Sequence, residues 1–353
     1  MNAFNYRILI STKGGNVQET IMIFLAALLL SFPKSGPALD GTNPISSQTP
    51  ADQKRSKVVV GYILDGDDTL KVAETVDFVK ITHLNVAFSN PTSSVGDLSV
   101  PPHLHQLVAL AHKNSVKILI SIGGGYASED KTQRDRYFAL IGDPNRPAFV
   151  AKLDKYVSEN QLDGVDVDLE GEAVGKDYGA FVGDLYKVLK SHGKLITAAV
   201  SSGNGGPQIS ADALACFDLV NVMAYDATGP WNPNVPGQHS SMDLAKECTT
   251  YWLGRGVPKS RLVLGVPFYG WGFGTAFTQG GYSFADLVSK YPGAQWVDQE
   301  GSTIWYNGIP TIKAKVKFVL DQGLAGVMIW ELSQDSVGKN SLLTAIHETL
   351  SAK

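Results

Sequence analysis

The sequence predicts an α/β protein: a single (β/α)8 barrel of the TIM type, with a short insertion between its seventh and eighth strands. Three observations point to it. Short apolar runs at 58–64, 83–88, 116–122, 164–169, 195–200, 218–224, 262–267 and 326–330 alternate with amphipathic stretches. Most runs are rich in Val, Ile and Leu, as expected of parallel strands buried on both faces. No GxGxxG turn follows the first run, which argues against a doubly wound open sheet.

The first element stands apart from this pattern. Residues 21–30 (IMIFLAALLL) form an apolar run too short to span a bilayer but long enough for a signal-peptide core. Small residues at Ser35, Gly36 and Ala38 suit a cleavage region, so residues 1–38 are expected to be signal-like and to direct the protein to the envelope, periplasm or exterior. A buried helix is the alternative. The stretch ahead carries Arg7 and Lys13 and is long for a signal, so the true start is expected downstream of Met1. Residues 39–57, rich in Ser, Thr, Pro, Gln and Asp, read as a linker into a catalytic domain over 58–353. No membrane span is expected in the mature protein, and a monomer is favoured.

Within the domain, residues 147–160 place Phe149, Val150, Leu153 and Val157 at helical spacing. Residues 177–192 do the same with Phe181, Leu185, Val188 and Leu189, and Gly193 supplies the stop. Helices are also expected over 241–255, 311–322 and 340–350. Between 270 and 310 the sequence reads as a long loop with one hairpin near 303–307.

The chemistry gathers in the fourth run, LDGVDVDLE. Asp166, Asp168 and Glu170 occupy alternate positions, with Val165, Val167 and Leu169 between them. In a strand this puts three acids on one face and three apolar side chains on the other. Three ionised carboxylates in a partly dry site repel strongly, so at least one must hold a proton at neutral pH. That is how a carboxylic acid is prepared to act as a general acid. A solvated acidic edge strand is the competing reading, but edges are more often guarded by lysine.

In a barrel, the partners of such a row come from other strand ends. The third run ends Ser121-Ile122-Gly123-Gly124, and the sixth ends Met223-Ala224-Tyr225-Asp226. The seventh is followed by Tyr269-Gly270-Trp271, and the eighth ends at Trp330. Tyr62 and Phe88, at the ends of the first two runs, are expected to line the pocket.

The totals narrow the function classes. A net charge of −4 without a basic stripe argues against a nucleic-acid partner. The 7 histidines show no metal-ligand spacing, so neither metal nor cofactor is expected. Two cysteines, Cys216 and Cys248, are too few for a disulfide framework, and a single bridge between them stays open.

These residues resemble the family 18 glycoside hydrolases, which include many chitinases. The family's DxxDxDxE matches Asp163, Asp166, Asp168 and Glu170; its SxGG matches Ser121, Gly123 and Gly124; its MxYD matches Met223, Tyr225 and Asp226; its strand-eight tryptophan matches Trp330. The resemblance implies a retaining hydrolase that uses the substrate's own acetamido group as nucleophile. It implies that Glu170 is the acid and base, that Asp168 and Asp166 share a proton, and that Tyr225 bonds the acetamide oxygen. Asp226 would bind the distorted sugar, Trp330 would form the floor, and Ser121 would hold the buried end of the acid row. Asp163, opposite in parity, is expected to be structural. Trp231 is either a platform for a leaving-side sugar or a loop anchor, while Glu172 and Glu331 are expected to be peripheral.

The implied partners are chitin or N-acetylglucosamine oligosaccharides. Two competing functions are an endo-β-N-acetylglucosaminidase acting on N-glycans and a non-catalytic, lectin-like chitin binder. The chain departs from the family at Trp271, where many members carry arginine; a stacking surface is expected in its place. The loop reading of 270–310 further implies a shallow, open groove.

Overall fold

The computed structural model describes residues 57–352, so the expected signal-like segment and linker lie outside the described residues. The barrel strands are β1 (Val58–Leu64), β2 (His83–Ala87), β3 (Lys117–Gly123), β4 (Gly164–Asp168), β5 (Leu195–Val200), β6 (Leu219–Val222) and β7 (Leu262–Pro267). Four short strands follow: β8 (Tyr269–Gly272), β9 (Tyr282–Ser283), β10 (Gln299–Glu300) and β11 (Ile304–Trp305). β12 (Gly326–Trp330) then closes the barrel between β7 and β1. All eight barrel pairings are parallel, so the expected (β/α)8 barrel is what forms.

Side-chain alternation splits each strand between two environments. Val165 and Val167 point outward into the layer between barrel and helices, in the same core cluster as Phe149, Phe181 and Leu185. The helices that supply those residues, Arg146–Glu159 and Tyr178–Ser191, lie within two residues of their expected bounds. The inward faces form a smaller cluster of Val60, Tyr62, Ala87, Ala199, Val263 and Met328, against which Phe88, Tyr225 and Trp330 pack. The acids of β4 therefore point into the barrel, at its C-terminal mouth.

The 270–310 region is more ordered than the sequence reading has it. In place of a long loop with one hairpin, β8 to β11 form an antiparallel sheet in the order β10-β11-β8-β9, accompanied by the helix Phe284–Lys290. The cause lies in Tyr269-Gly270-Trp271-Gly272. After Pro267 the chain leaves the barrel, and β8 lies so close to its neighbours that a Cβ on Gly270 would stand 2.5 Å from the Trp305 carbonyl. A Cβ on Gly272 would stand 1.9 Å from that of Ala276. Glycine alone permits that approach. The expectation of a shallow groove rested on the loop reading and loses its premise.

Candidate active site

The site is built upward from Asp166. This side chain has no exposed surface. It accepts hydrogen bonds from Tyr62 Oη and Ser121 Oγ, both at 2.7 Å, and from Thr197 Oγ1 at 2.5 Å. Asn221 Nδ2 adds a longer contact at 3.5 Å. Strand register sets this arrangement, since Ser121 and Thr197 are the β3 and β5 partners of Asp166. Burial raises the Asp166 carboxyl, and the surrounding donors oppose that rise.

Asp168, one step nearer the mouth, is buried as well, and its Oδ1 finds no hydrogen-bond partner among the described residues. Burial, then the charges of Glu170 and Asp166, push it well above the usual carboxylate range, favouring its protonated form. Glu170 follows at the rim. Burial chiefly, with Asp226 and Glu129 adding to it, pushes its carboxyl up to about 7, against a contact from Asn204 that lowers it. Its side chain lines a cavity of about 650 Å3 together with Glu172, Asn204, Met223, Tyr225 and Asp226.

The two glycines after Ser121 have distinct tasks. Gly123 has φ +109°, and a Cβ there would lie 2.3 Å from the Asp168 carbonyl oxygen. Gly124 faces Phe88, whose ring a Cβ would meet at 2.5 Å. Phe88 in turn stacks on Trp330 with ring centres 5.7 Å apart, and Tyr62 lies 5.4 Å from the same indole. Trp330, Phe88 and Tyr62 thus form one aromatic floor beside the acid row.

Tyr225 is kept a neutral phenol by burial and by the acids around it. Among the described residues its hydroxyl meets the Met328 sulfur at 3.9 Å, a weak contact. Asp226 has φ +61°. Its Oδ1 accepts from Tyr269 Oη at 2.6 Å and Trp271 Nε1 at 2.8 Å, with His239 Nδ1 3.1 Å away. Trp271 therefore acts through its indole N–H. Its ring stands at right angles to those of Trp231 and Tyr269. Trp231 covers Gly229, where a Cβ would touch its ring at 2.3 Å.

Asp163 lies at the opposite end of β4, with His112 Nε2, Lys117 Nζ and the Ile118 amide each 2.9 Å from its carboxylate. Burial would raise it, but these contacts outweigh burial and hold it below the usual range. Cys216 and Cys248 are both free thiols. No helix among the described residues is long and apolar enough to cross a membrane.

Five residues escaped the sequence reading: Thr197, Asn221, Asn90, Asn204 and His239. The first two carry a legible signal, as polar residues inside LITAAV and LVNV. Asn90 holds the backbone of Gly123 from both sides, at 2.8 and 2.9 Å. It lies in a loop, as do Asn204 and His239, and nothing local marks any of the three.

Known proteins share this fold. A chitinase from the chitin utilization locus of Flavobacterium johnsoniae superposes with a TM-score of 0.79 at 39% identity, covering 84% of this chain and 95% of that one. A chitinase-like effector of Moniliophthora roreri is 28% identical over 75% of this chain and 73% of its own length. Probable chitinase 10 of Drosophila melanogaster is 24% identical over 74% of this chain, which spans only 14% of that longer protein. The family model for glycosyl hydrolases family 18 matches residues 58–335, and the chain belongs to that family of glycoside hydrolases.

Proposed function

We propose that the protein is a chitinase that hydrolyses β-1,4 bonds between N-acetylglucosamine units with retention of configuration. One arrangement carries the reading: Glu170, whose carboxyl is pushed up to about 7, lines the cavity in front of Asp168, whose buried carboxyl is raised as well and keeps one oxygen without a partner among the described residues. In this reading Glu170 gives its proton to the glycosidic oxygen as the C–O bond breaks. The acetamido oxygen of the same sugar closes on the anomeric carbon, forming an oxazolinium ion. The Glu170 carboxylate then takes a proton from water, whose oxygen opens that ion from the face the leaving group vacated.

Asp168 accepts the acetamide N–H and shares its own proton with Asp166 as positive charge develops. The Tyr225 hydroxyl, occupied only weakly by Met328, donates to the acetamide oxygen. Asp226, with three donors on Oδ1, uses Oδ2 toward the sugar, and the floor of Trp330, Phe88 and Tyr62 takes its apolar face. The intact acid row favours catalysis over the lectin-like alternative.

The test is hydrolysis of N-acetylchitooligosaccharides by the wild type and Glu170→Gln, with products followed by mass spectrometry. Wild-type cleavage, reduced on the order of 10²-fold or more in the variant, is expected of a general acid. A folded wild type that cleaves no oligosaccharide would overturn the chitinase reading. If it instead released glycans from a high-mannose glycoprotein, the endoglycosidase reading would replace it.

A further inference from the structure

The loop after β5, Ser201-Ser202-Gly203-Asn204-Gly205-Gly206, is folded tightly onto the peptide that follows Glu170. Ser201 Oγ accepts from the amides of Gly203 and Asn204 at 3.3 and 3.0 Å, and Ser201 forms an isolated bridge with Gly205. A Cβ on Gly206 would lie 1.8 Å from the Ser201 carbonyl, and one on Gly205 would lie 2.7 Å from Gly171 N. Gly171 has φ +53°, and its missing Cβ would stand 2.8 Å from Asn204 Oδ1. On the other side, Ser128 Oγ donates to the Glu170 carbonyl at 2.7 Å. The backbone of the acid is thereby held from two directions, with one amide side chain within reach of its carboxyl: Asn204 Nδ2 lies 3.4 Å from Glu170 Oε2.

We propose that Asn204 is a positioning residue for the acid, donating to Glu170 Oε2 and so leaving the catalytic proton on Oε1. The inference rests on the reading of Glu170 as the acid, while the contact itself is tested without substrate. An amide N–H can only donate, and the stronger acceptor of a protonated carboxyl is its carbonyl oxygen, so the contact selects Oε2 as that oxygen. The other oxygen then carries the proton. At 3.4 Å the bond is long, and it tightens when the cleft fills and water is excluded. The same bond favours the ionised form and limits how far burial raises the group.

Asn204→Ala has two readouts. The first needs no substrate: titration of the Glu170 carboxyl by side-chain 13C NMR, with the signal assigned by its loss in Glu170→Gln. Removing the donor should raise the midpoint by about half a unit. The second is chitooligosaccharide turnover, where kcat should fall roughly 10-fold with KM nearly unchanged, since aim and not binding is lost. The alkaline limb of the pH profile should move up with the titration.

An unchanged midpoint would overturn the proposal. A midpoint that fell would overturn it too, because the amide would then be accepting the acid's proton. If Asn204→Ala does not fold, Asn204→Asp keeps the shape of the loop while replacing the donor with a like charge. It should raise the midpoint further, and no change would count against the contact. A raised midpoint with no hydrolysis by the wild type would leave Asn204 in its place and remove only the chitinase reading.

Discussion

At the scale of single residues, the proposed function rests on how unequally three neighbouring acids are treated. Asp166 has three short hydroxyl contacts, whereas Asp168 has an unpartnered buried oxygen and Glu170 one long contact from Asn204. Burial raises all three; donors oppose the rise at Asp166 and, singly, at Glu170, whereas neighbouring charges add to it at Asp168. A consequence can be measured. Glu170 works as an acid only while protonated, and its carboxyl is raised from its ordinary 4.5 to about 7. Values of kcat/KM should therefore hold up to about pH 7 and then fall roughly tenfold per unit as the proton is lost. A profile flat to pH 9 would show that another group supplies the proton. Trp271 is a second case, in which an indole N–H donates to Asp226 where the resemblance led to an expected arginine.

At the scale of elements, the acid row is placed where two strands meet closely. β3 and β4 touch where Gly123, at φ +109°, faces the Asp168 carbonyl. Gly123→Ala combines an unfavourable backbone with a Cβ 2.3 Å from that oxygen, so a loss of about 3 kcal/mol or more is expected. Chemical denaturation would read it, and a loss below 1 kcal/mol would mean that β3 can yield. The antiparallel sheet β10-β11-β8-β9 makes a similar point, since glycines at alternate positions of β8 allow it to assemble beside the barrel.

At the scale of the whole domain, one buried cation ties distant parts together. Lys315, on the helix Ile309–Gln322, has no exposed surface. Its ammonium donates to Ser240 O, Ser240 Oγ and Asn307 Oδ1, each at 2.7 Å. It thus anchors the segment that carries His239 toward Asp226. Burial lowers its pKa from 10.5 to about 7. Between those values the unfolded chain binds a proton that the folded one does not, so this group makes the fold more stable as pH rises from about 7 to 10.5. Unfolding measured across that window should show the positive slope in the wild type and a smaller one in Lys315→Met. Equal slopes would show that Lys315 keeps its ordinary affinity for the proton.

The linear chain determined the barrel, because the Val/Ile/Leu runs and the helical spacing between them are local patterns, repeated eight times. It also determined that the three acids share one face, since side chains alternate along a strand; that this face turns inward follows from Val165, Val167 and Leu169 packing in the outer layer. Ser121, Gly123, Gly124, Tyr225, Asp226 and Trp330 were legible for the same reason: they sit at or just beyond strand ends, which a barrel gathers at one mouth. Thr197 and Asn221 lie on strands too, but their pairing with Asp166 depends on register, which single runs do not reveal. Asn90, Asn204, His239 and Lys315 were decided only by tertiary structure. Their hydrogen bonds join residues far apart in the chain, and such contacts exist only after the barrel has closed.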